Sequence, residues 1–276
     1  MKRFFFALPL LLAVSLSAQE NNDRWLVYYS DKAPIEAFEP YSLIVLDSDY
    51  HPSLKALKER NKTLLGYISL GEVEQARAWY EDVKAEGILM GENKNWPGSY
   101  YVDVRDPRWA KRVIEKLIPQ ILHKGFDGLF FDTLDNPGNL EDEDPRKYAG
   151  MKDGAAKLVQ AIRLHYPDIP LMMNRGYAIL PKVVNDITYE LAEDAFTTYD
   201  FKNKTYLMQP KEAVEEQINL LTEAKTTNPE LGLYSLDYWY PEQKEKIEEI
   251  YQRARESDLN PYVGTIDLDV IVPEPK

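Results

Sequence analysis

Gly125-Phe126-Asp127-Gly128-Leu129-Phe130-Phe131-Asp132-Thr133-Leu134-Asp135-Asn136 sets a glycine-opened apolar run against a carboxylate and a set of turn formers. A short continuous apolar run closed by turn residues reads as a parallel strand buried on both faces. Asp132 then stands at the C-terminal end of that strand, where α/β barrels keep their chemistry. Taken alone, a strand-end Asp reads first as the cap of the next helix. The rest of the chain reverses that preference.

The same theme recurs on either side: a short apolar strand, a loop, then an amphipathic helix. Trp25-Leu26-Val27-Tyr28-Tyr29 is the first strand, and Leu43-Ile44-Val45-Leu46, ending at Asp47, is the second. Leu64-Leu65-Gly66-Tyr67-Ile68-Ser69 leads into Gly71-Glu72, and the fourth strand ends at Asp132. Leu171-Met172-Met173 ends at Asn174, and Ile187-Thr188-Tyr189 ends at Glu190. Leu233-Tyr234-Ser235-Leu236 ends at Asp237, and Tyr262-Val263-Gly264-Thr265-Ile266 ends at Asp267. Helical patterns fall at 53–61, 107–124, 154–165, 210–226 and 241–257. The clearest carries Trp109, Val113, Leu117 and Ile121 at four-residue spacing and stops at Gly125. Eight strands alternating with helices predict an α/β fold, a single-domain (β/α)8 TIM barrel, rather than a doubly wound sheet. No Gly-x-Gly-x-x-Gly follows the first strand and no Walker loop appears, so no dinucleotide or nucleotide cofactor is expected.

Residues 1–18 combine Met1-Lys2-Arg3, an apolar stretch from Phe4 to Val14 and a small-residue exit through Ala18. That is the pattern of a secretory signal peptide, too short for a permanent span. Export to the periplasm or exterior, without a stable membrane anchor, is the expectation. Residues 19–276 then suit one barrel of about 250 residues. There is no cysteine, hence no disulfide framework. The net charge of −13, or −15 once Lys2 and Arg3 leave with the leader, disfavours nucleic acid and is compatible with a neutral or cationic ligand. The 19 Tyr and 5 Trp offer faces on which sugars stack, or ordinary core residues. Residues 73–101 form an enlarged loop rich in aromatics, including Trp79, Trp96 and Tyr100, which either walls a cleft or caps the barrel. Glu141-Asp142-Glu143-Asp144 reads as a solvated loop rather than a metal site, and no metal is expected.

Asp47, Glu72, Asp132, Asn174, Glu190, Asp237 and Asp267 all fall at strand ends and so converge on one mouth. Crowded carboxylates repel one another, and such an arrangement points to function. Two of them at suitable separation run glycoside hydrolysis, one as acid and the other as nucleophile or base. Asp132 and Glu190, on strands four and six, belong to the same inward layer and form the expected pair. His51, His123 and His165 are the only histidines, and no Gly-x-Ser-x-Gly elbow or His-Glu-x-x-His helix exists. Serine-hydrolase, zinc-peptidase and thiol chemistry are thereby disfavoured.

Gly66-Tyr67-Ile68-Ser69-Leu70-Gly71-Glu72, Tyr101-Val102-Asp103-Val104-Arg105-Asp106-Pro107-Arg108-Trp109 and the opening segment together carry a family likeness. On them the chain resembles glycoside hydrolase family 114, the endo-α-1,4-polygalactosaminidases, from about Trp25 to Asp267. The resemblance implies a retaining mechanism, with Asp132 as nucleophile and Glu190 as acid/base. It also implies a galactosamine-rich polysaccharide substrate, cationic where deacetylated. Glu193 and Asp194 are rivals to Glu190 in Thr188-Tyr189-Glu190-Leu191-Ala192-Glu193-Asp194. Asp47, Glu72, Asp135, Asn174, Asp237 and Asp267 are expected to bind substrate hydroxyls or ammonium groups, with Tyr67, Tyr177 and Trp239 as stacking platforms. A barrel-rim structural role is the alternative for each. A catalytically silent glycan-binding barrel, or a glycosidase of another linkage such as an α-galactoside, stands as the rival reading of the whole.

Overall fold

The computed structural model describes residues 24–275; the expected leader at 1–18 lies outside them. Eight parallel strands form one sheet: β1 (Trp25–Tyr28), β2 (Leu43–Leu46), β3 (Thr63–Ser69), β4 (Gly128–Asp132), β5 (Leu171–Asn174), β6 (Tyr189–Glu193), β7 (Gly232–Tyr238) and β8 (Asn260–Gly264). They lie side by side in chain order. The sheet curls into a nearly closed barrel. Trp25 bridges the seam, its Nε1–H donating to the Asn260 carbonyl at 2.9 Å, and the Tyr29 amide donates to the Leu268 carbonyl at 2.8 Å. The apolar runs Leu43–Leu46 and Leu171–Asn174 are buried along their whole length, as a sheet covered by helices requires.

Gly128 opens β4 because β5 passes too close for a side chain. A Cβ there would meet the Pro170 carbonyl oxygen at 2.1 Å. The helix predicted at 107–124 forms over that range. Asp106 caps it by accepting from the Arg108 amide, Pro107 occupies its first turn, and Gly125 ends it at φ 115°. Pro119 interrupts its ladder, and a π turn over Val113–Leu117 absorbs the break, with the Ile118 amide reaching back to the Val113 carbonyl. Trp109, Val113, Leu117 and Ile121 are all buried, so the four-residue spacing did mark the face against the barrel.

Several expectations are corrected. The enlarged loop at 73–101 is an ordered insertion: a three-stranded antiparallel sheet (Glu72–Glu74, Leu89–Glu92, Ser99–Val102) with a helix at Tyr80–Glu86. A second insertion after β6 is an antiparallel hairpin of Thr197–Asp200 and Thr205–Met208. The acidic run at 141–144 is mostly helix, Asp135–Glu143. Finally, β6 does not end at Glu190; it runs three residues further, to Glu193. Leu191 and Ala192 continue the buried apolar run, and the ladder to β7 pairs Leu236 with Glu193.

Candidate active site

Strands four, five and six each deliver one polar side chain to the mouth: Asp132, Asn174 and Glu193. The Asn174 Nδ2 donates to Asp132 Oδ1 at 3.0 Å and to Glu193 Oε2 at 2.7 Å. One nitrogen bonded to both carboxylates caps the separation of those oxygens at the total of the two bonds, 5.7 Å. Asp132 Oδ2 accepts from the Tyr67 hydroxyl at 2.9 Å, and Glu193 Oε1 accepts from the Tyr238 hydroxyl. Burial raises the Glu193 carboxyl above the ordinary glutamate range, and the charge of Asp132 raises it further; the donors Asn174 and Tyr238 oppose this. The Tyr67 and Tyr238 phenols are pushed well up, mainly by burial, and so remain donors.

The backbone turns sharply after each of these residues. Thr133, Arg175 and Asp194 all adopt left-handed conformations, at φ 66°, 54° and 56°. Such conformations are costly for residues with a Cβ, most of all for β-branched threonine. Thr133 is held there by its hydroxyl, which accepts the Gly71 amide at 2.8 Å and pairs with Ser69 Oγ at 2.8 Å. Gly71 must be glycine, since a Cβ would lie 2.2 Å from the Thr133 carbonyl oxygen. The strand end that presents Asp132 is thus clamped to the end of β3.

Glu190, expected as the acid/base, is not brought to this group. It is the second residue of β6 and fully buried, and neither carboxylate oxygen has a hydrogen-bond partner among the described residues. Side chains alternate along a strand, so Glu190 and Glu193, three apart, point to opposite faces. Burial pushes the Glu190 carboxyl well up, and the charge of Asp135 adds to it.

The other expected ligands divide. Tyr67 and Asn174 touch the carboxylate pair. Asp135 lies next to the mouth, accepting the Gly176 amide at 2.7 Å and facing Arg175 at 3.0 Å. Asp47 is occupied by the Asp49 and Tyr50 amides and by Arg77. Glu72 is buried and accepts from Asn93, Ser99 and Asn136, which ties the first insertion to the barrel. Asp237 is buried with Oδ1 taken by the Phe196 and Thr197 amides and the Thr197 hydroxyl, so it pins the second insertion. Trp239 is buried with its Nε1–H on Gln243, and Tyr177 donates to Gln217. Asp267 is exposed. Two residues of the mouth escaped the sequence reading. Tyr29 packs edge-on to Tyr67 at 5.4 Å, and its phenol is raised by burial and then by Asp132 and Glu193. Tyr238 closes β7. Tyr29 is the last residue of the first strand run and Tyr238 directly follows the strand-end Asp237, which was the available signal.

A (β/α)8 barrel is the fold of many glycoside hydrolases, and this mouth carries the paired carboxylates their chemistry needs. The chain is a glycoside hydrolase. It matches the glycoside-hydrolase family GH114 over residues 13–275 and belongs to that family. An uncharacterized protein of Deinococcus radiodurans is 24% identical over 245 residues, covering 84% of this chain and 76% of that one. Among solved structures, the glycoside hydrolase domain of PelA from Pseudomonas aeruginosa superposes with a TM-score of 0.80 at 20% identity, over 91% of this chain and 98% of that domain. Aspergillus fumigatus Ega3, solved in complex with galactosamine, gives a TM-score of 0.67 at 13% identity, over 92% and 95%. No helix among the described residues is long and apolar enough to cross a membrane.

Proposed function

We propose that the chain cleaves an α-linked, galactosamine-containing polysaccharide with retention of configuration, using Asp132 as nucleophile and Glu193 as acid/base. The observation that carries this reading is the shared Asn174 amide. A ceiling of 5.7 Å between the bridged oxygens suits the roughly 5–5.5 Å of retaining enzymes better than the wider gap that an inverting enzyme leaves for water. Glu193, protonated, gives its proton to the glycosidic oxygen as Asp132 attacks the anomeric carbon. Glu193, now ionised, takes a proton from the water that displaces Asp132 from the glycosyl-enzyme. Tyr67 and Asn174 hold the attacking carboxylate in line, and no cofactor or metal enters the scheme.

A cationic amino sugar fits the surroundings. Asp132 stands at the mouth, with Asp135 beside it against Arg175, on a chain of net charge −13. The galactosamine bound by Ega3 supports the same class of sugar. Residues 1–18 act as an export leader in this reading and 19–276 as the enzyme, which meets its polymer in the periplasm or outside the cell. Proton NMR of the first product formed from a defined α-1,4-galactosaminan tests the mechanism: the α anomer is expected, and a β product would overturn it. Activity should decline on the alkaline side as Glu193 loses its proton, and an alkaline limb set by the substrate amine alone would count against Glu193.

A further inference from the structure

A row of aromatic contacts runs from the end of β7 out to the two insertions. The row opens at Trp239, the residue after β7 closes at Tyr238. The Trp239 ring lies 6.2 Å from Tyr206, which lies 5.0 Å from Tyr199. Tyr199 is 5.0 Å from Phe201, and Phe201 is 5.2 Å from Trp96. The inner members are sheltered, whereas Trp96 is 52% and Phe201 50% exposed. These two come from different insertions, one after β3 and one after β6, and their rings meet nearly perpendicular, at 80°. In that geometry the ring that presents its edge keeps its own faces free of its partner. Two large rings left half in water and touching one another form a contiguous exposed apolar patch at the outer end of the row.

Local charge separates this rim from the mouth. Lys94 stands two residues before Trp96, while Lys202 and Lys204 follow Phe201, all exposed. The acids nearby are engaged in their own turns: Glu92 accepts the Gly98 amide and Asp200 the Lys202 and Asn203 amides. Three exposed ammonium groups against two acids, all within four residues of these rings in sequence, disfavour a further ammonium there. Uncharged galacto-configured rings, whose C3–C4–C5 face is apolar, suit it.

We infer that Trp96 and Phe201 form a distal subsite for uncharged, N-acetylated sugar rings of the same polymer whose amino-sugar unit enters the acidic mouth. The inference rests on the proposed substrate class and adds a division of labour: charge recognition at the point of cleavage, stacking several units away. The enzyme should then favour long, mixed chains over short or fully deacetylated ones.

Calorimetric titration on the full chain carrying Asp132→Asn, so that ligand survives, tests it with a fully N-acetylated and a fully deacetylated α-1,4-galactosaminan. Trp96→Ala is expected to weaken binding of the acetylated polymer about tenfold, which is about 1.4 kcal/mol, and that of the deacetylated polymer much less. In wild-type background the ratio of kcat/KM on polymer to kcat/KM on trisaccharide should fall by a similar factor. An unchanged Kd, an equal loss on both polymers, or no binding by the parent chain overturns the subsite. Binding without any cleavage by the wild type would instead overturn the catalytic reading, and the binding arm would still decide the rim. Should Trp96→Ala lower the melting temperature sharply, Phe201→Ala carries the same comparison.

Discussion

Glu193→Gln is expected to lower kcat on a galactosamine polymer by roughly 10²–10⁴-fold, the scale of a lost general acid. Asp132→Asn should cost at least as much, because an amide cannot form the glycosyl-enzyme. Glu190→Gln should leave turnover close to wild type. The contrast follows from strand parity. Asn174 and Tyr238 hold Glu193 at the mouth, while Glu190 is sealed on the other face of β6. A leaving-group comparison separates acid/base loss from general damage. With an activated aryl glycoside the departing phenolate needs no proton, so Glu193→Gln should recover much of its glycosylation rate, whereas Asp132→Asn should not. If Glu190→Gln abolishes hydrolysis and Glu193→Gln does not, the assignment of the pair fails.

Why strand six was harder to read than strand four is a matter of local information. In Gly128–Asp132 the apolar run stops at one carboxylate, so the strand end is unambiguous. In Tyr189–Glu193 acids stand at the second and last positions with Leu191 and Ala192 between, and either could be the terminus. Only pairing with β5 and β7 settles the register, because it matches Asn174 with Leu191 and Leu236 with Glu193. Pairing is a non-local fact. The same holds for Glu72 and Asp237. Each lies near a strand end as expected, but its oxygens are satisfied by residues that the fold brings from elsewhere, Asn93 and Ser99 in one case and Phe196 and Thr197 in the other. Periodicity in 107–124 was legible because a helix writes its buried face into a single segment. The hairpin after β6 was not, since its strands bury little and resemble a polar, Thr- and Tyr-containing loop.

The site also sets a pH dependence of stability. Glu190→Gln is expected to leave the melting temperature near pH 5 almost unchanged and to raise it at pH 8 by on the order of 5 °C. The Glu190 carboxyl is raised well above its ordinary 4.5 in the folded chain, by burial first. A carboxyl raised on folding contributes stability that is fully present below its unfolded value, and loses it as pH climbs through the folded value. Its unfolded counterpart ionises freely from about pH 4.5 upward, so neutral and alkaline pH pull toward unfolding. Asp194, pushed to about 8 mainly by burial and then by Glu193, acts in the same direction, as does Asp237 at about 6. Stability should therefore fall steadily between pH 4.5 and 8. Glutamine keeps the shape of the protonated acid and cannot ionise, so it removes the Glu190 share of that slope without touching the carboxylate pair. Scanning calorimetry of wild type and variant from pH 4.5 to 8.5 measures the difference directly. Parallel profiles, or a variant less stable at pH 8, would mean that Glu190 is held as a charged, paired group, and the burial argument would be wrong.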